Sequence, residues 1–226
     1  MNMNMFEQFL APELALIPMA PLSILIPLFM VYNKPKLLGN RMTTATSWLL
    51  KMFLLNMTSQ LSPKGQKWTP LLASLVLMLL LSNLLSLLPY TFTPTSQLSM
   101  NMALALPLWL ATIITGLKNK PSPTLAHLLP EGSPTPLIPF MVLIETVSLL
   151  MRPIALGVRL TANITAGHLL MTMVSSATIN LINTYIIISP LTLTLLSLLM
   201  LLELAVACIQ AYVFVLLIIL YLQENT

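Results

Sequence analysis

The chain has 226 residues, of which 57% are hydrophobic and 7% are charged, and it contains no Asp. This composition leaves too little polar surface for a soluble domain, so it predicts an integral membrane protein. The net charge of +4 comes from basic residues gathered in particular connections. That distribution favours a membrane-topology signal over a nucleic-acid patch, and we expect no nucleic-acid partner.

The length of the chain limits the number of membrane crossings. A span needs about 20 predominantly apolar residues, so 226 residues allow roughly five or six crossings. We expect helices throughout, because a helix satisfies its own backbone hydrogen bonds in lipid and the short alternating segments of a barrel are missing from the sequence. The predicted fold class is therefore an all-α integral membrane protein.

The sequence predicts no cofactor and no metal site. Cys208 is the only cysteine, which excludes an internal disulfide or a Cys-based metal site, and its position in an apolar run is typical of a small packing residue. The N-terminal segment has neither the basic region of a secretory signal nor the Arg-rich amphipathic pattern of a transit peptide. We therefore expect the first hydrophobic segment to be retained.

The first apolar segment covers residues 13–32 and is long enough to span if neighbouring helices compensate for its three prolines. The connection that follows, 33–68, holds six of the ten basic residues and no acid. Within it, the spacing of apolar residues over 41–61 predicts an amphipathic helix on the membrane surface, with a soluble excursion as the alternative.

The second and third spans are predicted at residues 71–88 and 100–117. A polar, Pro-rich connection follows, beginning with Lys118 and Lys120, and it is too broken to cross. The positive-inside rule places both basic connections on the same side, the matrix or the cytoplasm. The N-terminus is then expected on the opposite side.

The C-terminal part is predicted to be a long helical hairpin of residues 137–188 and 191–222, joined at Ser189-Pro190. At 1.5 Å per residue the first segment would be roughly 75 Å long, against an apolar membrane core of about 30 Å. It must therefore tilt steeply or break.

Most of the ionisable groups predicted inside the membrane lie on this hairpin, although each costs about 2.5 kcal/mol or more at the bilayer centre. Glu145, Arg152 and Arg159 are seven residues apart, which places them within roughly 40° on one helical face if Pro153 does not change the register. Asn163 continues that face, surrounded by small Ala residues that allow another helix to approach.

Each of these residues can also be weighed against a purely structural explanation. Arg152 can snorkel or pair with Glu145. His168 points nearly opposite to Arg159 and can be an ordinary hydrogen-bonded packing residue. Arg159 has no acid three or four residues away, so its counter-charge must come from elsewhere.

Glu203 and Gln210 share one face of the last segment. If the hairpin is counted symmetrically about Ser189-Pro190, Ala211 lies opposite His168, and Glu203 lies about 12 Å from that level. A direct bond between His168 and Glu203 is therefore not predicted without tilt, an offset or water.

Several stretches together resemble the subunit a family of rotary ATP synthases, in its mitochondrially encoded animal form. They are IETVSLLMRPIAL at 144–156, GVRLTANITAGHLL at 157–170 and LELAVACIQAYVFVLL at 202–217, with TFTPTSQLSMNMALALPLW at 91–109 and LAHLLPEGSPTPLIP at 125–139. The resemblance covers essentially the whole chain. It implies a proton-conducting stator subunit that is not catalytic by itself, in the mitochondrial inner membrane with its N-terminus towards the intermembrane space. The implied partners are the c-ring, the peripheral stalk and other membrane subunits.

The resemblance also implies roles for particular residues. Arg159 would be the arginine that faces the rotating c-ring. Glu145 would belong to the matrix-side proton path, and His168 and Glu203 would line the path from the intermembrane space. Asn163 and Gln210 would lie near the arginine, where the stator meets the ring.

Two other classes of membrane protein fit the composition. A secondary transporter would show internal repeats or paired broken helices, and no clear repeat relates the two halves of this sequence. A respiratory-complex or antiporter-like subunit would place Lys and Glu together in the membrane, whereas these spans contain no Lys. An autonomous enzyme is the function that the sequence favours least, because it contains no recognisable phosphate-binding loop, metal cluster or activated nucleophile.

Overall fold

In a computed structural model, the apolar segments of the chain form helices. The structure describes residues 9–10, 13–14, 17–18, 21, 23–27, 41, 44–45, 47–48, 51–52, 55, 65–88, 91–119, 121–126, 137–184 and 188–225. Five α-helices have defined bounds within these residues: α1 Thr69–Ser86, α2 Leu98–Asn119, α3 Pro121–Ala126, α4 Ile138–Thr184 and α5 Ser189–Asn225. The 3-10 turn Gly65–Trp68 leads into α1, and a second one, Pro94–Ser96, precedes α2.

Four helical segments in the described part are long and apolar enough to cross a membrane, and they correspond to α1, α2, α4 and α5. The predicted all-α membrane fold with a long C-terminal hairpin is therefore confirmed. The described residues of the predicted surface helix 41–61 are all helical and exposed, and its contact with a membrane surface stays a prediction.

The beginning of the predicted span 13–32 differs from a helix. Glu13–Leu14 and Ile17–Pro18 form a two-residue antiparallel pair, β1 with β2, and helical residues follow at Pro21 and 23–27. Proline lacks a backbone N–H and disfavours the helical conformation of the residue before it, which explains why a helix does not begin at Glu13. The other residues of this predicted span lie outside the described part of the chain.

The sequence left two possibilities for residues 137–188, a tilt or a break. Helix α4 runs without interruption through Pro153 over 47 residues, which is about 70 Å. Because this length is more than twice the apolar thickness of a bilayer, we expect α4 to lie at a steep angle to the membrane normal.

The helices pack around the C-terminal half of α5, which contacts α1, α2 and α4. Small and branched apolar residues fill this core, and the side chains of Ala211 and Val215 are completely buried. The core cluster comprises Leu72, Leu75, Val76, Leu79, Ala105, Leu156, Leu160, Ala211, Phe214, Val215, Ile218, Ile219 and Leu222. This packing holds α4 against α5 and thereby brings their polar residues together.

Candidate functional site

A small cavity lies where α1 meets the α4–α5 hairpin, and it collects four of the six site residues expected from the sequence. Asn163 and His168 reach it from α4, and Glu203 and Gln210 reach it from α5. The cavity has a volume of about 30 Å³, which is sufficient for a water molecule. Its other lining residues are Asn83, Ser86, Leu87, Ile164, Gly167, Val206 and Ala207.

The two ionisable groups that line this cavity each have one buried atom without a hydrogen-bond partner in the described part of the chain. His168 Nε2 and Glu203 Oε1 form no hydrogen bond with any described residue. Leaving a buried polar atom unpaired costs about 1–3 kcal/mol, so both atoms favour a water molecule or a transferable proton in the cavity. A water-bridged His–Glu arrangement is therefore compatible with the geometry.

Close packing of α5 against α4 at Gly167 brings Glu203 to the level of His168 along α4. A Cβ atom built on Gly167 would lie 2.5 Å from Glu203 Oε1, so the carboxylate occupies space that any other residue would fill. The symmetric count, which placed Glu203 about 12 Å from the level of His168, is therefore wrong. The register is displaced by about two helical turns, because helix packing rather than the position of Ser189-Pro190 decides it.

Sequence reasoning missed Asn83, which lies on α1 and is completely buried. Its side-chain Nδ2 donates a hydrogen bond to the Ala207 carbonyl oxygen at 3.4 Å, and its Oδ1 has no partner among the described residues. A lone Asn within a Leu-rich span was the available signal, since a polar residue in a membrane helix usually has a specific partner.

Phe9 is a second contact that the sequence did not predict. The Phe9 ring packs edge-on against the His168 imidazole, with 6.5 Å between the ring centroids and 78° between the ring planes. Such an edge-to-face contact restricts the orientation of the imidazole. No local sequence pattern connects residues so far apart in the chain.

Arg159 lies just outside the cavity on the neighbouring side of α4. It is one turn before Asn163 and roughly 40° away around the helix axis. Its side chain is exposed, as are Ala155, Ala162 and Ala166 on the same face. In the described part of the chain no carboxylate comes within ion-pair distance of Arg159.

Glu145 is separated from the cavity and belongs to another cluster. Its Oε1 lies 3.5 Å from Arg152 Nη2, and Arg152 Nη1 lies 3.4 Å from Oε2 of Glu224 near the end of α5. The predicted pairing of Arg152 with Glu145 is therefore present. Both residues precede Pro153, and helix α4 continues through that proline. Among the described residues, Arg152 has carboxylate partners and Arg159 has none.

Comparison with known proteins agrees with the resemblance found in the sequence. Residues 14–223 match the family described as ATP synthase A chain. Curated relatives called "ATP synthase F(0) complex subunit a" are 73% identical in Lycodon semicarinatus, 58% in Struthio camelus and 49% in Tachyglossus aculeatus aculeatus. Each alignment covers 100% of both chains. The chain therefore belongs to the ATP synthase A chain family, the multi-pass, proton-conducting and non-catalytic stator subunits of the F(0) complex.

Proposed function

We propose that the exposed guanidinium of Arg159 faces a carboxyl group on a rotating c-ring, and that protons reach and leave this ring by two separate paths. The unpaired state of Arg159 within the described part of its own chain is the observation that carries the proposal. A permanent cation in an apolar span requires a counter-charge, and an acid on another subunit supplies it. The neighbouring alanines allow that subunit to approach closely.

The guanidinium attracts charge but does not transfer protons. Arg remains protonated at physiological pH, so Arg159 cannot relay a proton along the path. It can stabilise the ionised form of a ring carboxylate as that group passes, and it can block direct leakage between the two paths. The ring acid would be neutral in lipid and ionised beside Arg159.

The proton-uptake path runs through the cavity shared by α4 and α5. His168 and Glu203 can both exchange protons, and the cavity that they line is large enough for a water molecule. His168 Nε2 and Glu203 Oε1 have no hydrogen-bond partner among the described residues. Asn163 and Gln210 line the same cavity. Asn163 is one helical turn from Arg159, and the path continues past these two amides to the stator–ring boundary. This uptake path opens towards the intermembrane space.

The release path starts at Glu145, on the part of α4 before Arg152. It leads to the matrix side of the mitochondrial inner membrane, with the N-terminus on the intermembrane-space side. Each proton that crosses delivers about 2.3 kcal/mol per 100 mV, and separate uptake and release paths convert this energy into rotation. The peripheral stalk and other membrane subunits hold the stator in place.

Replacing Arg159 by Ala tests the proposal directly. We expect proton-driven ATP synthesis to fall to background while the complex still assembles, because Arg159 makes no ion pair within the described part of its chain. Val158→Ala, next to Arg159 in the chain and also exposed, is the matched control and should retain activity. Wild-type synthesis rates for Arg159→Ala in reconstituted vesicles would refute the proposal.

A further inference from the structure

The side chain of His168 has two neighbours of different kinds, the cavity that it lines and the ring of Phe9. The two ring centroids are 6.5 Å apart and the ring planes meet at 78°, which is the edge-to-face arrangement that aromatic pairs favour. Phe9 is not among the residues that line the cavity. The imidazole therefore lies between the cavity and a residue from the N-terminal end of the chain.

Phe9 is separate from the elements that build the cavity. It precedes β1, Glu13–Leu14, whereas the cavity lies between α1 and the α4–α5 hairpin. The apolar core cluster that holds these helices together does not include Phe9. Replacing the Phe9 ring should therefore leave the packing of the helices in place, so an effect on His168 can be measured separately from unfolding.

The orientation of the imidazole decides which of its atoms faces the cavity. The rotamer preference of histidine about χ2 is broad and roughly two-fold. A half-turn about that bond exchanges the positions of Nε2 and Cε1, and only the ring nitrogens of histidine donate or accept protons. Because Nε2 is buried without a hydrogen-bond partner among the described residues, no hydrogen bond from that part of the chain to this atom fixes the choice.

The acid that shares the cavity lies beside this ring. Glu203 Oε1 would be 2.5 Å from a Cβ atom on Gly167, the residue before His168, so the carboxylate lies against the same turn of α4. The cavity volume of about 30 Å³ is sufficient for one water molecule. Such a water can accept a proton from one group and give a proton to the other, so protons and charge balance in either direction. This transfer requires Nε2 on the cavity side of the imidazole.

We propose that Phe9 is a positioning residue of the uptake path, which holds the His168 imidazole with Nε2 towards the cavity. This proposal rests on the proposed function, which assigns His168 to that path. The edge and the face of the Phe9 ring carry opposite partial charges. The nitrogen and C–H positions of an imidazole also differ in partial charge, so its two orientations are not equivalent beside that ring. Phe9 itself exchanges no proton.

The first measurement is the rate of ATP synthesis per assembled complex in vesicles, with a small imposed proton gradient so that proton entry limits the rate. Phe9→Leu keeps an apolar side chain and removes the ring. We expect the rate to fall about twofold if the two orientations become equally populated, because half of the imidazoles are then competent. The loss can reach about 10-fold, the factor that corresponds to a strong edge-to-face contact. Phe9→Tyr keeps the ring and should keep the rate.

The second measurement is the ratio of the synthesis rates in ordinary and heavy water, each at its own pH optimum. It is taken at a larger gradient, where later steps share control of the rate. Slower proton transfer takes a larger share of that control, so we expect a higher ratio for Phe9→Leu than for the wild type. Phe9→Tyr should leave the ratio unchanged, and so should the control Leu10→Ala, whose side chain is 69% exposed in this chain. The ratio does not depend on how much complex assembles.

A purely structural role of Phe9 predicts another pattern. Phe9→Leu would then lower the rate with an unchanged ratio, because fewer complexes would be active, and this result would overturn the proposal. A wild-type rate and ratio in Phe9→Leu would overturn it as well. If Phe9→Leu fails to assemble, Phe9→Met fills the site with a flexible apolar side chain, and the same two measurements decide the question.

His168→Gln separates this inference from the function on which it rests. A wild-type rate for His168→Gln would refute the place of His168 on the uptake path, and the role of Phe9 with it. A loss of synthesis in His168→Gln together with wild-type behaviour of Phe9→Leu would refute the role of Phe9 and leave the path intact.

Discussion

Gly167→Ala is the sharpest structural test of the cavity between α4 and α5. The new Cβ atom would lie 2.5 Å from Glu203 Oε1 and 3.1 Å from its Cδ. A carbon and an oxygen in ordinary contact are about 3.3 Å apart, so the carboxylate must retreat by roughly 0.8 Å. A misplacement of about 1 Å can reduce the rate of a positioned reaction by up to about 100-fold.

We expect Gly167→Ala to lower proton-driven ATP synthesis by about 10- to 100-fold. Its effect on folding should be small, because Glu203 is flexible and Ala is more favourable than Gly within a helix by about 1 kcal/mol. The assay is the initial rate of ATP synthesis in vesicles, with the amount of assembled complex measured on the same membranes. A loss of rate without a loss of assembled complex would identify a misplaced carboxylate.

Gly157→Ala provides the matched control. A Cβ atom there would lie 2.7 Å from Met102 Sδ, a similar overlap with a flexible side chain away from the cavity. We expect nearly wild-type synthesis for Gly157→Ala and partial recovery when Glu203→Asp shortens the acid in the Gly167→Ala background. Equal losses in both glycine variants, or wild-type synthesis in Gly167→Ala, would refute the reasoning.

Three further predictions concern the same part of the molecule. Glu203→Gln should slow proton uptake without disturbing the fold, measured as a changed pH dependence of proton flux, because the amide keeps the shape but cannot exchange a proton. Asn83→Ala should lower the stability of the subunit by about 0.6–1.7 kcal/mol, measured by thermal inactivation, because the bond to the Ala207 carbonyl oxygen is lost. Ala211→Leu should lower stability by about 1–3 kcal/mol and reduce assembled complex, because Ala211 is 0% exposed.

Each of these predictions has a control and an opposing result. For Glu203→Gln, the neighbouring exposed substitution Leu202→Ala controls for packing, and an unchanged pH dependence of flux would contradict the role of Glu203. For Asn83→Ala, substitution of the nearby and partly buried Leu81 by Ala is a suitable comparison. Equal thermal inactivation of the two variants would argue against the Asn83 bond. For Ala211→Leu, exposed Ala205→Leu should be tolerated, and similar assembly of both variants would show that the core accommodates the added volume.

Local properties of the sequence were sufficient to predict the fold class and to select the candidate site residues. Hydropathy and helical spacing are properties of neighbouring residues, so they predicted the long hairpin and selected Arg159 as a cation without a nearby acid in sequence. The described residues at the start of the first predicted span differ from a helix for a local reason as well, because Pro18 lacks a backbone N–H and Glu13–Leu14 pairs with Ile17–Pro18.

The sequence by itself determined that this protein is a helical membrane subunit with ionisable groups on its last two helices, because lipid requires apolar side chains and internal backbone hydrogen bonds. The tertiary structure decided which of these groups meet. Contact at Gly167 sets the register that brings Glu203 to the level of His168, and Glu224 reaches Arg152 from 72 positions away. Such contacts depend on the packing of whole helices against one another, which no local spacing of residues records.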